Sequence, residues 1–374
     1  MRNSVASEGS VLAARLAAQR LSGTPPTDAV DTTRHLLAVQ AQDPRAARLA
    51  IRARTAEKRA SAVDCALTDE RSLIITWANR GTLHLIAAED EAFLHALTTP
   101  QLRTTSDRRL SQEGVTSPVA ERGIKAIVKA LGDQGPMTRA QLRTVLDKVG
   151  VPTAGQALVH VLFRATLDGL ILRGPMVGGD HAYVLVADWL GQRPKIDRDR
   201  ALAELARRYL AGHGPAADRD LAKWAQLPLR DARAGLEAVA PELNLRPDGL
   251  VDLRRRPEVP LPPPRLLGPY DPLLLGWQSR RFLLDGAQDI VTVNGIIRAI
   301  ALVRGRPAGT WMMSGGHVEM NLWRKQDRAT AAALERDAAA VEAYLDARAP
   351  SAGAGRDEFQ PRRSTSRIRS HVQA

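Results

Sequence analysis

Residues 135–142, GPMTRAQL, and residues 214–221, GPAADRDL, place glycine, proline and leucine at the same offsets in two stretches of the chain. Glycine and proline interrupt regular structure, and a polar capping side chain after them starts a new helix. We expect Thr138 to cap the helix in the first stretch and Asp218 to cap the helix in the second. Both stretches therefore indicate a turn followed by a helix.

The sequence around these two stretches repeats one order of predicted elements. An amphipathic helix precedes each stretch, a longer helix follows it, and two short apolar strands come next. The predicted helices are 124–131 and 154–167 in the first copy, and 202–210 and 229–239 in the second. The predicted strands are 170–172 with 183–185, and 243–245 with 250–253. This order predicts an internal repeat of winged-helix type.

The segment before the repeat has the same outline. Apolar residues at helical spacing predict helices over residues 11–21, 28–39, 46–54 and 60–68. Strand-like residues 72–77 and 82–86 flank a predicted turn at 78–81, which gives a third helix-and-hairpin unit. The fold is therefore predicted to be α+β and mainly helical, with three winged helices in tandem.

Residues 257–264 are rich in proline and form a predicted connector. Strands are predicted after it at 282–284, 290–293, 296–303 and 309–313, followed by a closing helix over 328–348. The predicted regions are three winged helices at 1–118, 119–197 and 198–256, a β-rich segment at 257–348, and a tail at 349–374. The tail is rich in Ser, Gly and Arg, which is typical of disorder.

The chain is strongly basic, with a formal net charge of +12 over 374 residues and a sequence pI of about 10.5. Such a charge favours a polyanionic partner, although an arginine-rich composition also produces it. Tandem winged helices on a basic chain indicate double-stranded DNA as that partner. Winged helices also dock proteins, so this alternative stays open at the level of composition.

Several classes of protein are disfavoured. The single cysteine, Cys65, allows no disulfide within the chain and suits a reducing cytoplasm. The N-terminus lacks the apolar region of a signal peptide, and no apolar run is long enough to span a bilayer. The eight histidines are scattered, and no phosphate-binding loop is recognisable. We predict a cytoplasmic, nucleoid-associated protein with no membrane, metal or cofactor requirement.

The segment Gln40-Ala41-Gln42-Asp43-Pro44 places two side-chain amides two residues apart, just before a proline. In an extended conformation Gln40 and Gln42 point to the same side. From the spacing alone, exposed polar residues at a helix end are the favoured interpretation.

The order of motifs along the chain resembles the AlkZ-like winged-helix DNA glycosylases, whose signature is glutamine-x-glutamine. The segment at 40–44 matches that signature, and further matches are 80–85 (RGTLHL), 270–274 (YDPLL) and the hairpin ending at 309–311 (GTW). The resemblance covers residues 10–347. Many members carry Asp where this chain has Gln42, so the substrate range is open.

The resemblance implies three winged helices and a β-rich segment in a C-shaped arrangement. It also implies a monofunctional glycosylase that cleaves the N-glycosidic bond of N7-alkylated guanine in duplex DNA, with Gln40 and Gln42 as catalytic residues. One member unhooks the interstrand crosslinks of the antibiotic azinomycin in the producing organism. A monomer is expected, because the repeated units need no partner subunit.

A pair of glutamines suits a cationic substrate. Glutamine is neutral and cannot act as a general base, but its amide accepts and donates hydrogen bonds. Gln40 and Gln42 can hold a water near C1′ and turn carbonyl dipoles toward positive charge on the sugar. An N7-alkylguanine already carries positive charge, so it leaves without protonation. The enzyme should therefore be restricted to labile, cationic adducts.

Six arginines are candidate DNA contacts. The basic turn formed by Arg304-Gly305-Arg306-Pro307 is a candidate probe of the groove or lesion, or else an ordinary surface turn. Candidate phosphate contacts are Arg45, Arg48, Arg280 and Arg281. The main alternative function is a noncatalytic winged-helix transcriptional regulator, which usually dimerises on palindromic sites. A protein-docking scaffold is a third possibility.

Overall fold

A computed structural model describes residues 2–26, 28–254, 256–284, 290–292 and 295–346. For residues 2–8 and 346 it describes the backbone alone. The predicted tail at 349–374 lies outside the described residues. The helices are α1 (Arg2–Ala18), α2 (Ala29–Leu36), α3 (Pro44–Arg52), α4 (Ser61–Thr68), α5 (Glu91–Thr98), α6 (Arg103–Gln112), α7 (Ser117–Gln134), α8 (Arg139–Lys148), α9 (Ala157–Leu167), α10 (Val186–Leu190), α11 (Arg198–His213), α12 (Asp218–Ala225), α13 (Leu229–Ala238), α14 (Pro272–Leu275) and α15 (Arg328–Asp346).

The strands are β1 (Val39–Gln40), β2 (Leu73–Ala78), β3 (Thr82–Ala87), β4 (Ile171–Val177), β5 (Asp180–Leu185), β6 (Leu243–Leu245), β7 (Val251–Leu253), β8 (Arg265–Leu267), β9 (Ile300–Val303), β10 (Arg306–Ser314) and β11 (His317–Leu322). About half of the described residues are helical, which confirms the α+β, mainly helical class. Among the described helices, none is both long enough and apolar enough to cross a membrane.

The predicted helix cap is present in the first of the two repeated stretches and absent from the second. Thr138 and Gln141 cap each other's backbone N–H groups at the start of α8, at 3.3 and 2.8 Å, which is a capping box. Asp218 was predicted to cap α12, and this is wrong. Asp218 is the first residue of the helix, and Asp220 in its first turn accepts the Ala217 N–H instead.

The order of elements in the two copies agrees with the predicted repeat. Helices α7 to α9 precede the hairpin β4–β5, and helices α11 to α13 precede the hairpin β6–β7. The classification of these units as winged helices and the C-shaped arrangement stay predictions, as do the region boundaries. The hairpins β2–β3 and β4–β5 lie in one antiparallel sheet with the order β1-β3-β2-β4-β5, joined where Ile75 pairs with Arg173.

This five-stranded sheet separates two hydrophobic cores. Val39, Ile75 and Leu85 belong to the core formed with α7 to α9. Ile74 and Ile86, their neighbours in sequence, belong to the core formed with α11 and α12. Successive side chains of a strand point to opposite faces, so both faces of the sheet are covered by helices.

The C-terminal segment forms a second antiparallel sheet, with the order β11-β10-β9-β8. The strand predicted at 282–284 is wrong, because Phe282 turns inward and packs against Trp277 at 4.9 Å between ring centroids. The strand predicted at 290–293 reduces in its described part to one bridge, between Val291 and Ile297. Strands β8 and β11 were not predicted.

One buried ion pair connects three helix ends and the C-terminal segment. The guanidinium of Arg54, which follows α3, donates to both carboxylate oxygens of Asp271 at 2.6 and 2.9 Å, and both side chains are fully buried. Its other three hydrogen bonds go to Gln19 O, Gln19 Oε1 and Ala50 O, each at 2.9 Å. Gln19 in turn donates to Gly212 O in α11 at 2.7 Å. The pair thereby fixes α1, α3, α11 and residue 271 together.

We expect Asp271→Asn to lower the free energy of unfolding by about 3–5 kcal/mol, because it leaves the Arg54 charge buried without its counter-ion. The exposed pair of Lys129 and Asp133, at 2.8 Å, supplies the control. Asp133→Asn should cost less than about 1 kcal/mol. Urea unfolding of the two variants measures the difference, and equal losses would contradict a structural role for the buried pair.

The stability of the fold should also depend on pH through its buried histidines. His213 stacks on Tyr209 with ring centroids 4.9 Å apart, and burial lowers its pKa from 6.5 to about 3. Between these pH values the unfolded chain binds a proton that the folded chain does not, so stability falls as the pH drops below 6.5. The slope is at most about 1.4 kcal/mol per pH unit for each such histidine.

We expect His213→Phe to make the decline in unfolding free energy between pH 6 and pH 4.5 shallower by nearly that amount. Urea titrations of wild type and variant at several pH values measure it. Identical slopes would show that His213 does not titrate on unfolding.

Candidate functional site

The glutamine pair lies on an extended segment at the edge of the five-stranded sheet. Gln40, in β1, pairs with His84 of β3, and Ala41 N–H donates to Leu83 O at 2.7 Å. Ala41 is buried in the core, whereas Gln40 is half-buried and Gln42 is exposed. Because side chains alternate along an extended chain, Gln40 lies on the face opposite to Ala41, and Gln42 follows in the bend before α3.

The amides of this pair are largely free to bind something else. Gln42 Oε1 accepts from Leu83 N–H at 3.4 Å, which is a long and weak hydrogen bond. Within the described part of the chain, no hydrogen bond engages the side chain of Gln40. Each amide has two donors and a carbonyl acceptor, so the pair offers several unused groups at the edge of the sheet.

Helix α3 begins just after the glutamine pair, and Asp43 determines the residue at which it begins. One oxygen of the Asp43 carboxylate accepts from the N–H groups of Arg45 and Ala46 at 2.8 and 3.2 Å, and Pro44 occupies the first helical position. Both features favour a helix start. The carboxylate nearest to the glutamines in sequence thus caps a helix, and the chain turns sharply at the end of the motif.

His84 lies opposite Gln40 in the sheet and is a residue that sequence reasoning did not single out. Its ring is buried, and Nδ1 lies 2.9 Å from Thr82 O, which fixes the proton on Nδ1. Burial, followed by the nearby charge of Arg80, lowers the pKa of His84 from 6.5 to about 3. The imidazole is therefore neutral at physiological pH. Its position inside the stretch RGTLHL was visible in the sequence, but its burial was not.

A groove of about 640 Å³ opens beside the first turn of α3. Asp43 and Arg45 line one side, and strands β10 and β11 line the other. The glutamine motif therefore ends where this groove begins.

The two predicted arginines near the motif differ in burial and in the partners of their side chains. Arg45 is exposed at the groove. Arg48, one helical turn later, is buried, pairs with Asp64 and donates to Pro44 O at 2.9 Å. These contacts of the Arg48 guanidinium hold α3 against α4. Arg48 is therefore not part of the proposed DNA-binding surface.

The remaining arginines also differ in accessibility. Arg281 and Arg304 are exposed, whereas Arg280 is half-buried and donates to Leu274 O at 2.6 Å. Arg306 is half-buried and lies 3.4 Å from Phe282 O.

The basic turn between β9 and β10 packs against α1. Gly305 has a φ of +75°, and a Cβ there would lie 2.5 Å from Leu16 Cδ1, so only glycine fits this close approach. The next turn along the chain, at Gly315 and Gly316 between β10 and β11, has no neighbouring atoms within 4 Å of either Cβ position. Of the two turns, the second one projects from the sheet.

Among the residues that the structure describes, no three His, Cys, Asp or Glu side chains gather in a geometry that could hold a metal ion.

Comparisons with known proteins agree on one family. Residues 33–344 match the family model described as DNA glycosylase AlkZ-like. A relative from Streptomyces sahachiroi, named interstrand DNA cross-link repair glycosylase, is 27% identical over 362 residues, which cover 88% of this chain and 94% of the relative. The solved structure of Streptomyces sahachiroi DNA glycosylase AlkZ superimposes with a TM-score of 0.72 at 23% identity, covering 90% of this chain and 96% of that one. This chain therefore has the fold of that structure.

Proposed function

Because the chain belongs to the AlkZ-like DNA glycosylase family, we propose that it hydrolyses the N-glycosidic bond of cationic N7-alkylguanine in duplex DNA. The match over residues 33–344 confirms the resemblance derived from the motifs and includes both glutamines. One observation supports the choice of site: Gln40 and Gln42 lie at the edge of the sheet, keep most of their hydrogen-bonding groups unused, and directly precede Asp43, which lines a groove.

The proposed reaction needs little from the protein. The bond between C1′ and N9 breaks, its electron pair neutralises the cationic purine, and positive charge develops on the sugar. A water then adds to C1′ and loses a proton to solvent, leaving an abasic site. Gln40 and Gln42 hold this water through their amides and direct carbonyl oxygens toward the charged sugar.

His84 supports this arrangement as a positioning residue. Directly opposed residues in an antiparallel pair have Cβ atoms about 5 Å apart, which brings the imidazole within reach of the Gln40 amide. With its proton on Nδ1, the ring presents Nε2 as an acceptor. A neutral acceptor beside Gln40 favours the amide orientation that turns the Gln40 carbonyl away from His84 and toward the substrate.

The DNA-binding surface is proposed from exposure and charge. Arg45, Arg281 and Arg304 are exposed and available for phosphate, in a chain whose formal net charge is +12. The three helix-and-hairpin units act as winged helices along the duplex, and the enzyme works as a monomer. Metal and cofactor play no part in the proposed reaction.

Interstrand crosslinks, including those of azinomycin, are proposed substrates. The Streptomyces sahachiroi relative bears the name of a crosslink repair glycosylase. A guanine tethered to the opposite strand cannot swing into a closed pocket. The exposure of Gln42 suits such a substrate, because the reacting bond can reach it at the surface. A transcriptional regulator is not favoured, since the family is one of glycosylases.

Substitution of either glutamine should abolish base release. We expect Gln40→Ala and Gln42→Ala to lower the single-turnover excision rate by about 100-fold or more, as the loss of a group that stabilises transition-state charge does elsewhere. The substrate is a duplex with one N7-methylguanine, and alkali converts abasic sites into strand breaks that a gel resolves. DNA affinity, measured by fluorescence anisotropy, should change by less than about threefold.

Gln112→Ala supplies the matched control, because Gln112 is an exposed glutamine at the end of α6 whose Oε1 accepts from Arg109 at 3.1 Å. It should cleave like wild type. Normal cleavage by both site variants would refute the site while leaving the reaction possible.

The charge of the lesion should decide whether it is released. We expect excision of N7-methylguanine and no detectable excision of the uncharged lesion 8-oxoguanine in the same duplex, because neutral amides supply no acid for a neutral leaving group. General acid catalysis typically contributes about 100-fold to 10,000-fold, which this site lacks. Comparable rates on the two lesions would contradict the proposed mechanism.

A further inference from the structure

A basic cleft lies between the turn that joins β2 to β3 and the turn that joins α12 to α13. Its volume is about 490 Å³. Its lining includes two cations, Arg80 and Lys223, and two amides, Gln101 and Gln226, and no carboxylate is among the described residues that line it. The proposed reaction gives none of these residues a role. A cleft whose charged groups are all positive favours an anionic occupant.

The Arg80 guanidinium forms no ion pair within the described part of the chain. It is half-buried, and Nη1 donates to a backbone carbonyl, Trp224 O, at 2.9 Å. Burial, followed by the nearby charge of Arg280, lowers the pKa of Arg80. Arg280 is also half-buried and donates to a carbonyl, Leu274 O. Because water screens such charges less than exposed ones, an anion gains more from Arg80 than from an arginine at the surface.

The walls of the cleft are compatible with negative charge. The C-terminal end of α12 carries partial negative charge on its last carbonyls. Two carbonyls at this end already accept hydrogen bonds: Trp224 O from Arg80, and Gln226 O from Gln101 Nε2 at 3.1 Å. Helix α13 begins after Pro228, whose side chain caps no N–H group. The positive end of the α13 dipole therefore lies at the wall that Pro228 forms.

The cleft lies on the same side of the five-stranded sheet as Gln40. Ala41 belongs to the core formed with α7 to α9, so the side chain of Gln40 points to the opposite side. Trp224, which accepts from Arg80, belongs to the core on that opposite side. The charge of Arg80 also helps to lower the pKa of His84, the residue that pairs with Gln40. An anion held by Arg80 is therefore near the site proposed for base release.

We propose that this cleft binds one phosphate of the DNA backbone beside the damaged nucleotide, with Arg80 and Lys223 as its ligands. The inference rests on the proposed function and adds positioning residues to it. A half-buried guanidinium held at Trp224 O has little freedom, so a phosphate bound to it lies at a fixed distance from Gln40. The contact sets the register of the duplex and thereby places C1′ of the damaged nucleotide against the glutamines.

A scan of uncharged backbone linkages tests this. Each duplex has one N7-methylguanine and one methylphosphonate, which is placed in turn at each of the nearest phosphates on either side of the lesion. Binding is measured in the Gln40→Ala background, which keeps the lesion intact. We expect one position at which the uncharged linkage weakens binding by about tenfold. Arg80→Gln and Lys223→Gln should each reduce the loss at that position to about threefold or less and leave the losses at other positions unchanged.

Lys125→Gln is the matched control, because it removes the same charge from an exposed lysine, on α7. It should leave the loss at the identified position at about tenfold. In excision with Gln40 present, Arg80→Gln should lower the single-turnover rate at saturating enzyme by about tenfold, and the uncharged linkage should cause no further loss in that variant. A purely structural role of Arg80 would make the two losses multiply instead.

The same pattern of losses in both cleft variants and in Lys125→Gln would overturn the proposal, and a cleft that takes only free phosphate would give that result. Lys223 is exposed, so its variant reports on the cleft even if Arg80→Gln does not fold. Failure of wild type to excise N7-methylguanine would refute the proposed function. The binding scan needs no excision and would still show whether the cleft holds a phosphate.

Discussion

The buried pair of Arg54 and Asp271 is the constraint on which the position of the site depends. All five guanidinium donors are used, and their acceptors come from the end of α1, from α3 and from the segment before α14. A buried charge is tolerated only when such a set is complete, so these elements have one allowed arrangement. Since Arg54 follows α3 and the glutamines precede it, the pair also fixes the helix whose first turn lines the groove with β10 and β11.

At the other end of α3, the burial of one strand residue and the capping of the helix determine where the glutamines lie. Ala41 is buried in the core, which leaves Gln40 on the opposite face. Gln42 follows in a bend, and Asp43 ends the extended segment by capping the helix. Strand alternation and a helix cap, which are local effects, thus place the site on a scaffold that long-range contacts hold together. The functional groups proposed for it are neutral amides and a neutral imidazole, so the proposed chemistry depends on positive charge that the substrate brings.

Local signals predicted most of the helices and the hairpins around them, because caps, turn residues and periodicity act within a few positions, as Thr138 and Gln141 do. Strand β11 was missed since its side chains alternate between exposed and half-buried, which weakens the apolar pattern. The joining of two hairpins through Ile75 and Arg173 is a contact between distant segments that no local pattern encodes. Likewise, Arg45 and Arg48 look equivalent in sequence, and only the presence of Asp64 beside one of them separates an exposed cation from a structural one.

A weak catalytic apparatus and an open surface are consistent with each other. An enzyme that encloses its base can recognise it by shape, but a crosslinked guanine, the proposed substrate, cannot be enclosed, and one half-buried and one exposed amide recognise little by themselves. In the proposed reaction, selectivity then comes from contacts outside the base, among them contacts of the exposed arginines Arg45, Arg281 and Arg304 with the phosphates.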